Sequence, residues 1–292
     1  MVTFTEQKPG HNEYMCGLLG WALRGENRQE HDTLVRITDL MTHRGPDGSG
    51  YWLTDTADGR FQIGFGHRRL SIIDIEGGSQ PMWSGDGSIA LVFNGEIYNY
   101  IELRHELELL GHKFCTSSDT EVLIEAYRAW GANAVRRFRG MFAFALWDAK
   151  NQCLLFARDA FGKKPLFLAE RPGALLFASE IEPLVQFPGF DRTFDAEALG
   201  HYLLNRYVPG PLTFFRAVKK LQPGHYAIWH NGKLEIARYF SPPLRQPNLT
   251  FFVLMKRNVY SRRHLTKPSV FGCAAMRRSA PTFPAASIHL RS

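Results

Sequence analysis

Between Met15 and about Phe240, the chain is a dense series of short runs of branched and aromatic residues, each bounded by Gly, Pro or Asp. Such runs are typical of β-strands separated by turns. Seven are predicted strands: FQIGFG, RRLSIID, SIALVF, MFAFALWD, QCLLFARD, PLFLAE and ALLFASE. An eighth apolar run, punctuated by glycine, follows Cys16. So many strands at hairpin spacing predict antiparallel sheets with few helices.

The first predicted helix covers residues 99–110. Leu103, Leu107 and Leu110 fall on one of its faces, with charged residues on the opposite face, and Gly111 supplies its stop. We expect the leucine face to pack on a sheet.

The second predicted helix covers residues 119–130. Ser118 and Glu121 have the spacing of a capping box, which fixes the start of the helix. Its predicted core face consists of Val122, Leu123, Ala126, Tyr127 and Trp130. Strands in series with helices in clusters indicate an α+β fold, in which sheets pack on each other and helices lie outside.

Hydrophobic residues make up 45% of the 292 residues, as in an ordinary globular protein. The sequence contains no stretch of eighteen apolar residues, and residues 1–14 lack the basic start and apolar run of a secretory signal. We therefore expect a cytoplasmic protein with no membrane partner.

The basic charge is confined to the tail. The chain has 35 Lys and Arg against 28 Asp and Glu, but residues 250–292 hold eight of the basic residues and none of the acidic ones. The body is nearly neutral, which argues against a nucleic-acid partner.

The four cysteines Cys16, Cys115, Cys153 and Cys273 are far apart and lack the spacing of a zinc site. The sequence therefore predicts neither a disulfide framework nor a metal site. A lone cysteine is commonly a small buried apolar residue, so a catalytic reading of Cys16 depends on its surroundings.

Eight short motifs are more specific than strand propensity requires. In chain order they are CGLLG, HRGPDGSG, GHRRLSIID, NGEIYNY, SSDTE, RGMFAFALWD, RDAFGKKPL and ASEI. Together they resemble the glutaminase half of glutamine-hydrolysing asparagine synthetases, which is a class II glutamine amidotransferase of the N-terminal-nucleophile (Ntn) hydrolase type. The resemblance covers residues 16–240. It implies a four-layer αββα sandwich of two antiparallel sheets.

In that family the nucleophile is an N-terminal cysteine, and the residue that matches it is Cys16. Its own freed α-amino group serves as the base. An α-amine titrates near neutrality, so it can accept the thiol proton at physiological pH.

The resemblance places the oxyanion hole on the side-chain amide of Asn94 and the backbone N–H of Gly95. Both follow the apolar run IALVF, so we expect them at the end of a strand. The alternative interpretation of the same two residues is a plain Asn-Gly hairpin turn.

The resemblance also assigns the two charged ends of free L-glutamine. Arg69 matches the arginine that binds the carboxylate, a role suited to a planar guanidinium. Asp119 matches the acid that receives the ammonium group, with Glu96 nearby. Taken alone, Arg69 could be a solvated strand charge, and Asp119 a helix-start acid favoured by the helix dipole.

Two loop motifs are interpreted as structural. HRGPDGSG is rich in glycine but lacks the lysine and the spacing of a phosphate-binding loop. RDAFGKKPL lies, by resemblance, near the interface with a synthetase half. We expect no cofactor in this chain, and we assign ATP and Mg²⁺ to the intact parent enzyme.

The family begins at its cysteine, whereas residues 1–15 precede Cys16 here. With this extension attached, Cys16 has no free α-amine. Translation from Met15 followed by methionine removal is the simpler explanation of the extension, and a cleaved propeptide is the alternative.

Residues 241–292 are interpreted as a linker and an aberrant tail in place of an ATP-dependent synthetase domain. The family's phosphate loop, roughly SGGxDSS, is not visible. In a frame shifted by one base, however, the codons of residues 283–290 can spell SGGVDSS. We expect the tail to be a shifted reading of a synthetase domain, with the shift near residues 249–255.

The predicted function is glutamine hydrolysis through a thioester on Cys16. In the intact enzyme the released ammonia would amidate ATP-activated aspartate to give asparagine. Two alternatives stay open: an inactive product of a disrupted gene, and another class II enzyme such as a sugar or phosphoribosyl amidotransferase. A synthetase domain is the expected partner, and a homodimer is left open.

Overall fold

The computed structural model describes residues 15–70 and 78–242, which belong to one compact unit. The described residues form twelve strands: β1 (Gly17–Arg24), β2 (Gly48–Asp55), β3 (Phe61–Arg69), β4 (Met82–Trp83), β5 (Ile89–Ile97), β6 (Gly140–Asp148), β7 (Cys153–Arg158), β8 (Phe167–Arg171), β9 (Ala174–Ala178), β10 (Val218–Lys220), β11 (His225–His230) and β12 (Lys233–Arg238). They also form five α-helices: α1 (His31–Asp39), α2 (Tyr100–Leu109), α3 (Asp119–Trp130), α4 (Ile181–Val185) and α5 (Ala196–Asn205).

The strands make two six-stranded antiparallel sheets. The first sheet has the order β10-β8-β9-β1-β3-β2, and the second has the order β12-β11-β7-β6-β5-β4. Sequence neighbours pair in both sheets through β2–β3, β6–β7 and β11–β12, as hairpin spacing predicts. The α+β prediction is confirmed.

Each central strand is apolar on both faces, because its two faces lie in different cores. In β1, Leu18 and Ala22 lie in the core between the two sheets, whereas Leu19, Trp21 and Leu23 lie in a second core on the outer face. Successive strand side chains point to opposite faces, so a strand buried on both sides needs an unbroken apolar run. Each fully buried leucine or larger side chain contributes about 1.5–3 kcal/mol to stability.

Helices cover the outer face of each sheet. Helices α1 and α4 supply Leu34, Ile37 and Leu184 to the outer core of the first sheet. Helices α2 and α3 pack on the second sheet through a core that includes Leu107 and Val122. The resulting layers are helix, sheet, sheet and helix, so the predicted αββα sandwich is confirmed.

The two predicted helices are confirmed, with differences in detail. Helix α3 begins at the expected residue, and the Ser118 hydroxyl accepts a hydrogen bond from the backbone amide of Thr120 at 3.1 Å. The reciprocal half of the predicted capping box is wrong, because the Glu121 carboxylate accepts from the amides of Cys115 and Thr116 instead. Leu110 was predicted on the apolar face of α2, but it caps the helix and is 59% exposed.

The strand predicted to end at Phe93 continues to Ile97, so the expected end at Asn94 is wrong. The hairpin-turn alternative is also wrong, because Asn94 pairs with Ala143 and Gly95 with Phe142 in the β5–β6 ladder. The predicted strand RRLSIID has only its two arginines in β3, and its residues 71–74 lie outside the described residues. The loop HRGPDGSG contributes its last three residues to β2.

In the described part of the chain, no helix is long and apolar enough to cross a membrane. The predictions for residues 1–14 and for residues 243–292 of the tail lie outside the described residues.

Candidate active site

Cys16 directly precedes β1, and strand register determines what lies beside it. Gly17 pairs with Arg68 of β3, so Cys16 is adjacent to Arg69 and Leu70 at the end of that strand. The Cys16 thiol accepts a hydrogen bond from the Leu70 amide at 3.4 Å and lies 3.6 Å from the Leu70 carbonyl oxygen. The Leu70 amide can donate to a thiolate, and the Leu70 carbonyl oxygen can accept from a thiol. The Leu70 backbone can therefore bind either form of Cys16.

The ionisation of Cys16 reflects opposing effects. Burial raises the pKa of the thiol above its usual value, and this is the largest influence. The hydrogen bond from Leu70 and the positive charges of Lys164, Arg69 and Arg44 act in the opposite direction. The surroundings therefore supply cations but do not by themselves produce a low-pKa thiol.

Arg44, from the HRGPDGSG motif, fixes the backbone of Cys16. Its side chain is buried, and its Nε donates to the Cys16 carbonyl oxygen at 3.1 Å. Its Nη1 donates to the carboxylate of Glu180 at 2.9 Å, which ties the ASEI motif to the same place. The motif interpreted as a structural loop thus contacts the candidate nucleophile.

Asn94 lies inside β5 with its side chain 1% exposed. Its Nδ2 has no hydrogen-bond partner among the described residues. A buried amide donor without a partner is uncommon and costs about 1–3 kcal/mol. An oxyanion formed in the adjoining cavity would satisfy it.

Gly95 is required by the close approach of the neighbouring strand. A Cβ at this position would lie 2.1 Å from the Met141 carbonyl oxygen and 2.7 Å from the Phe142 Cα, both backbone atoms of β6. Its φ of +155° is also outside the range that side chains favour. Only glycine therefore fits beside Asn94.

The backbone of Phe93, directly before Asn94, is held at both its carbonyl and its amide. The carbonyl oxygen of Phe93 lies 3.0 Å from Nε2 of His67, and the Phe93 amide donates to Oε1 of Gln80 at 2.6 Å. Burial lowers the pKa of His67 to about 4, so its ring is neutral and Nε2 donates. These contacts fix the strand that carries Asn94.

Asp119 connects the start of α3 to the end of β5. Its Oδ2 accepts from the Ile97 amide at 2.9 Å. Burial raises the pKa of Asp119, the hydrogen bond from Ile97 opposes this, and the nearby charge of Glu96 adds to it. A cationic partner in the cavity would relieve both unfavourable effects.

One cavity joins the candidate residues, whereas Arg44 and His67 support it from outside its lining. The six candidate residues predicted from the sequence line it: Cys16, Arg69, Asn94, Gly95, Glu96 and Asp119. Met15, Gln80 and Lys164 contribute to the same lining. The cavity therefore combines a thiol, an unpartnered amide donor, cations and two carboxylates.

A family model described as a glutamine amidotransferase domain matches residues 15–240. The chain belongs to the glutamine amidotransferase domain family. It is 44% identical over 245 residues to a putative glutamine-hydrolysing asparagine synthetase of Mycobacterium tuberculosis, with 78% of this chain and 37% of the relative covered. It is 40% identical over 230 residues to glutamine-hydrolysing asparagine synthetase 1 of Bacillus subtilis, with 77% and 35% covered. The amidotransferase chain thus spans about a third of the length of these relatives.

Solved structures show the same fold. Glutamine phosphoribosylpyrophosphate amidotransferase from Bacillus subtilis, complexed with ADP and GMP, aligns with a TM-score of 0.54 at 20% identity, covering 77% of this chain and 49% of that one. A structure described as the allosteric regulatory enzyme of purine biosynthesis aligns with a TM-score of 0.55 at 21% identity, with 77% and 49% covered. At this identity the likeness shows the fold alone.

Three cavity or support residues of the amidotransferase domain were missed by sequence reasoning. Lys164 belongs to RDAFGKKPL, which was interpreted as structural, yet it lines the cavity and is 9% exposed. Arg44 belongs to HRGPDGSG, one of the eight specific motifs, so that motif was the signal that could have identified it. Gln80 follows the undescribed residues 71–77, and no local pattern pointed to it.

Proposed function

We propose that this amidotransferase domain hydrolyses L-glutamine to glutamate and ammonia, with Cys16 as the nucleophile. The observation that carries the proposal is the buried, unpartnered Nδ2 of Asn94 in the wall of the cavity that also contains the Cys16 thiol. Amide hydrolysis needs a nucleophile and a fixed donor for the oxyanion, and this cavity offers both.

The reaction follows from these groups. The Cys16 sulfur attacks the side-chain amide carbon of glutamine, and the resulting oxyanion accepts hydrogen bonds from the Asn94 amide and the Gly95 backbone N–H. The C–N bond then breaks, ammonia leaves with the proton taken from the thiol, and a γ-glutamyl thioester remains. Water attacks the thioester, which releases glutamate and restores the thiol.

The charged ends of glutamine find partners in the same cavity. Arg69 binds the α-carboxylate, and Asp119, with Glu96, binds the α-ammonium group. This assignment is supported by the burial of Asp119, whose raised pKa marks a carboxylate in need of a positive partner.

The base is the α-amino group of Cys16, which exists only after Met15 is removed. Met15 lines the cavity, and its backbone amide donates to the Arg44 carbonyl oxygen at 3.1 Å. Removal of Met15 would place the new amine beside the thiol that it must deprotonate.

We further propose that the domain is the glutaminase part of an asparagine-forming enzyme of the cytoplasm. Support comes from the sequence identity to the two asparagine synthetases. A synthetase domain, with ATP and Mg²⁺, would use the ammonia to amidate activated aspartate. The glutaminase reaction proposed here uses none of these components.

The test compares two forms of the protein, one that begins at Cys16 and one that keeps Met15. A glutamine analogue with an alkylating group at the amide position should label Cys16, identified by peptide mass spectrometry, and only the first chain should release glutamate. Asn94→Asp, which replaces the donor by an acceptor, should lower kcat about 10²–10³-fold. The matched control is Asn231→Asp in the exposed β11–β12 turn.

The outcome separates the proposal from the reading of an inactive gene product. If the chain beginning at Cys16 neither hydrolyses glutamine nor takes the label, the glutaminase assignment is wrong. If Asn94→Asp and Asn231→Asp behave alike, the oxyanion role of Asn94 is wrong even though the domain is active.

A further inference from the structure

The cavity contains a buried cation that the proposed reaction does not use. Lys164 is 9% exposed, and its Nζ forms no hydrogen bond or ion pair with the described residues. A buried lysine normally pairs with an acid, because an unpaired ammonium loses its hydration without compensation. An anion within the cavity would compensate for this lost hydration.

The RDAFGKKPL loop is built to hold Lys164 in this position. Asp159 is fully buried, and its Oδ2 accepts from the Lys164 amide at 3.0 Å. Its Oδ1 accepts from the amides of Phe161 and Lys163, both at 3.0 Å. Arg158 donates from Nε to the Lys164 carbonyl oxygen at 2.7 Å. Both polar groups of the Lys164 backbone are thus fixed, and its neighbour Lys163 is left with an exposed side chain.

The charges around Lys164 and Cys16 are complementary. Burial lowers the pKa of the Lys164 ammonium group and is the largest influence on it. Three nearby acidic groups, Cys16, Glu96 and Asp159, oppose this effect and favour the charged form, whereas the charge of Arg44 disfavours it. Around the Cys16 thiol, the cations are Lys164, Arg69 and Arg44. Arg44 already pairs with Glu180. Arg69 is assigned to the substrate carboxylate, which leaves Lys164 as the cation available to Cys16.

We propose that the ammonium group of Lys164 stabilises the thiolate of Cys16, so that the RDAFGKKPL loop acts on the reaction through the nucleophile. This inference rests on the proposed function, since it matters for catalysis only if Cys16 attacks glutamine. The thiolate is the reactive form of a cysteine, and a nearby cation increases its population at a given pH. Without Lys164, the thiol loses this neighbouring positive charge, but the burial that disfavours its thiolate form remains.

The experiment measures the ionisation of Cys16 in the full chain, residues 1–292. With Met15 attached, Cys16 has no α-amine, so its titration reports only on the surrounding groups. The rate of alkylation of Cys16 by iodoacetamide is followed from pH 6 to 10.5 by peptide mass spectrometry. The exposed thiol of Cys115 in the same molecule is the internal reference, and the half-buried Cys153 reports on folding.

Lys164→Met should raise the apparent pKa of Cys16 and slow its alkylation at neutral pH about five- to tenfold. Lys164→Gln should act in the same way, and Lys164→Arg should restore most of the rate. Lys163→Met is the matched control and should leave Cys16 unchanged. The alkylation rates of Cys115 and Cys153 should be the same in all five proteins, which excludes unfolding as the cause.

An unchanged Cys16 titration in both Lys164→Met and Lys164→Gln would overturn the proposal. If the two substitutions instead raised only the KM for glutamine, measured in the form of the protein that begins at Cys16, Lys164 would bind substrate and would not act on the thiolate. Failure of the proposed function is seen separately, as absent glutamine hydrolysis by the unmutated chain, because iodoacetamide reads the thiolate whether or not glutamine is a substrate.

Discussion

The Nε of Arg44 donates to the carbonyl oxygen of Cys16 at 3.1 Å, so a loop residue 28 positions away fixes the backbone of the proposed nucleophile. The same guanidinium donates to Glu180 at 2.9 Å. Three parts of the chain therefore meet at one buried side chain: the start of β1, the loop before β2 and the start of α4.

Arg44→Met should lower both stability and activity. The substitution removes the donor to Cys16 and leaves the partly buried carboxylate of Glu180 with only His43, 3.1 Å away, as a side-chain partner among the described residues. We expect this to cost about 1–3 kcal/mol in the free energy of unfolding. Urea unfolding measures this loss, and glutaminase kcat measures the displaced nucleophile. Arg36→Met on the exposed side of α1 is the control, and equal effects of the two substitutions would contradict the role of Arg44.

Gly95→Ala should destabilise the domain by about 3 kcal/mol, because its Cβ would overlap backbone atoms of Met141 and Phe142 that cannot move without breaking the β5–β6 ladder. Gly200→Ala in helix α5, where no atom lies near the added Cβ, should instead stabilise by about 0.5–1 kcal/mol. Urea unfolding compares the two. A tolerated alanine at Gly95 would contradict the described approach of the strands.

Buried His67 should make stability depend on pH. Its pKa is about 4 in the folded protein, and it is about 6.5 in an unfolded chain, so the unfolded chain binds the proton first as the pH falls. The stability that neutral His67 contributes is complete above pH 6.5 and is lost between pH 6.5 and 4, by up to about 3 kcal/mol.

His67→Gln removes this titration while keeping a donor for the Phe93 carbonyl. The free energy of unfolding, measured in urea between pH 4.5 and 7.5, should therefore fall less steeply with acid than in the unmutated chain. His105→Gln, on the exposed face of α2, should keep the original slope. Identical slopes for all three proteins would mean that His67 is not the titrating group.

How far the sequence predicts the site depends on whether a residue is placed by local pattern or by contacts between distant segments. Helix α3 and its Ser118 cap follow from local pattern, and the motifs were sufficient to collect the six candidate residues of the cavity. The continuation of β5 through Asn94 and Gly95 was not predicted. An NG pair is a turn signal locally, and only pairing with β6 keeps it extended.

Lys164 shows the same limit. Nothing in FGKKPL distinguishes Lys163 from Lys164, since both are lysines in a turn. The difference arises because the carboxylate of buried Asp159 gathers the loop amides and presents one lysine to the cavity and the other to solvent. The difference between the two lysines depends on a carboxylate buried by tertiary packing, so no local sequence pattern predicts it.

Asp119 yields a prediction in which stability and function change in opposite directions. Burial and the nearby Glu96 raise the pKa of Asp119 above its unfolded value. For a carboxyl group this means that stability is lost as the pH rises through the folded pKa, so at pH 7 the ionised group opposes folding. Asp119→Asn removes the charge, and the amide oxygen can still accept from the Ile97 backbone N–H.

We therefore expect Asp119→Asn to stabilise the domain by about 0.5–1.5 kcal/mol at pH 7 while raising the KM for glutamine about 10- to 150-fold through loss of the ammonium partner. Asp32→Asn is the matched control, because Asp32 is also an acid in the first turn of a helix but is exposed. If Asp119 served only the helix dipole, both substitutions would destabilise by about 0.3–1 kcal/mol and neither would change KM. Urea unfolding at pH 7 together with glutaminase kinetics therefore shows whether the Asp119 carboxylate binds the substrate or stabilises the start of the helix.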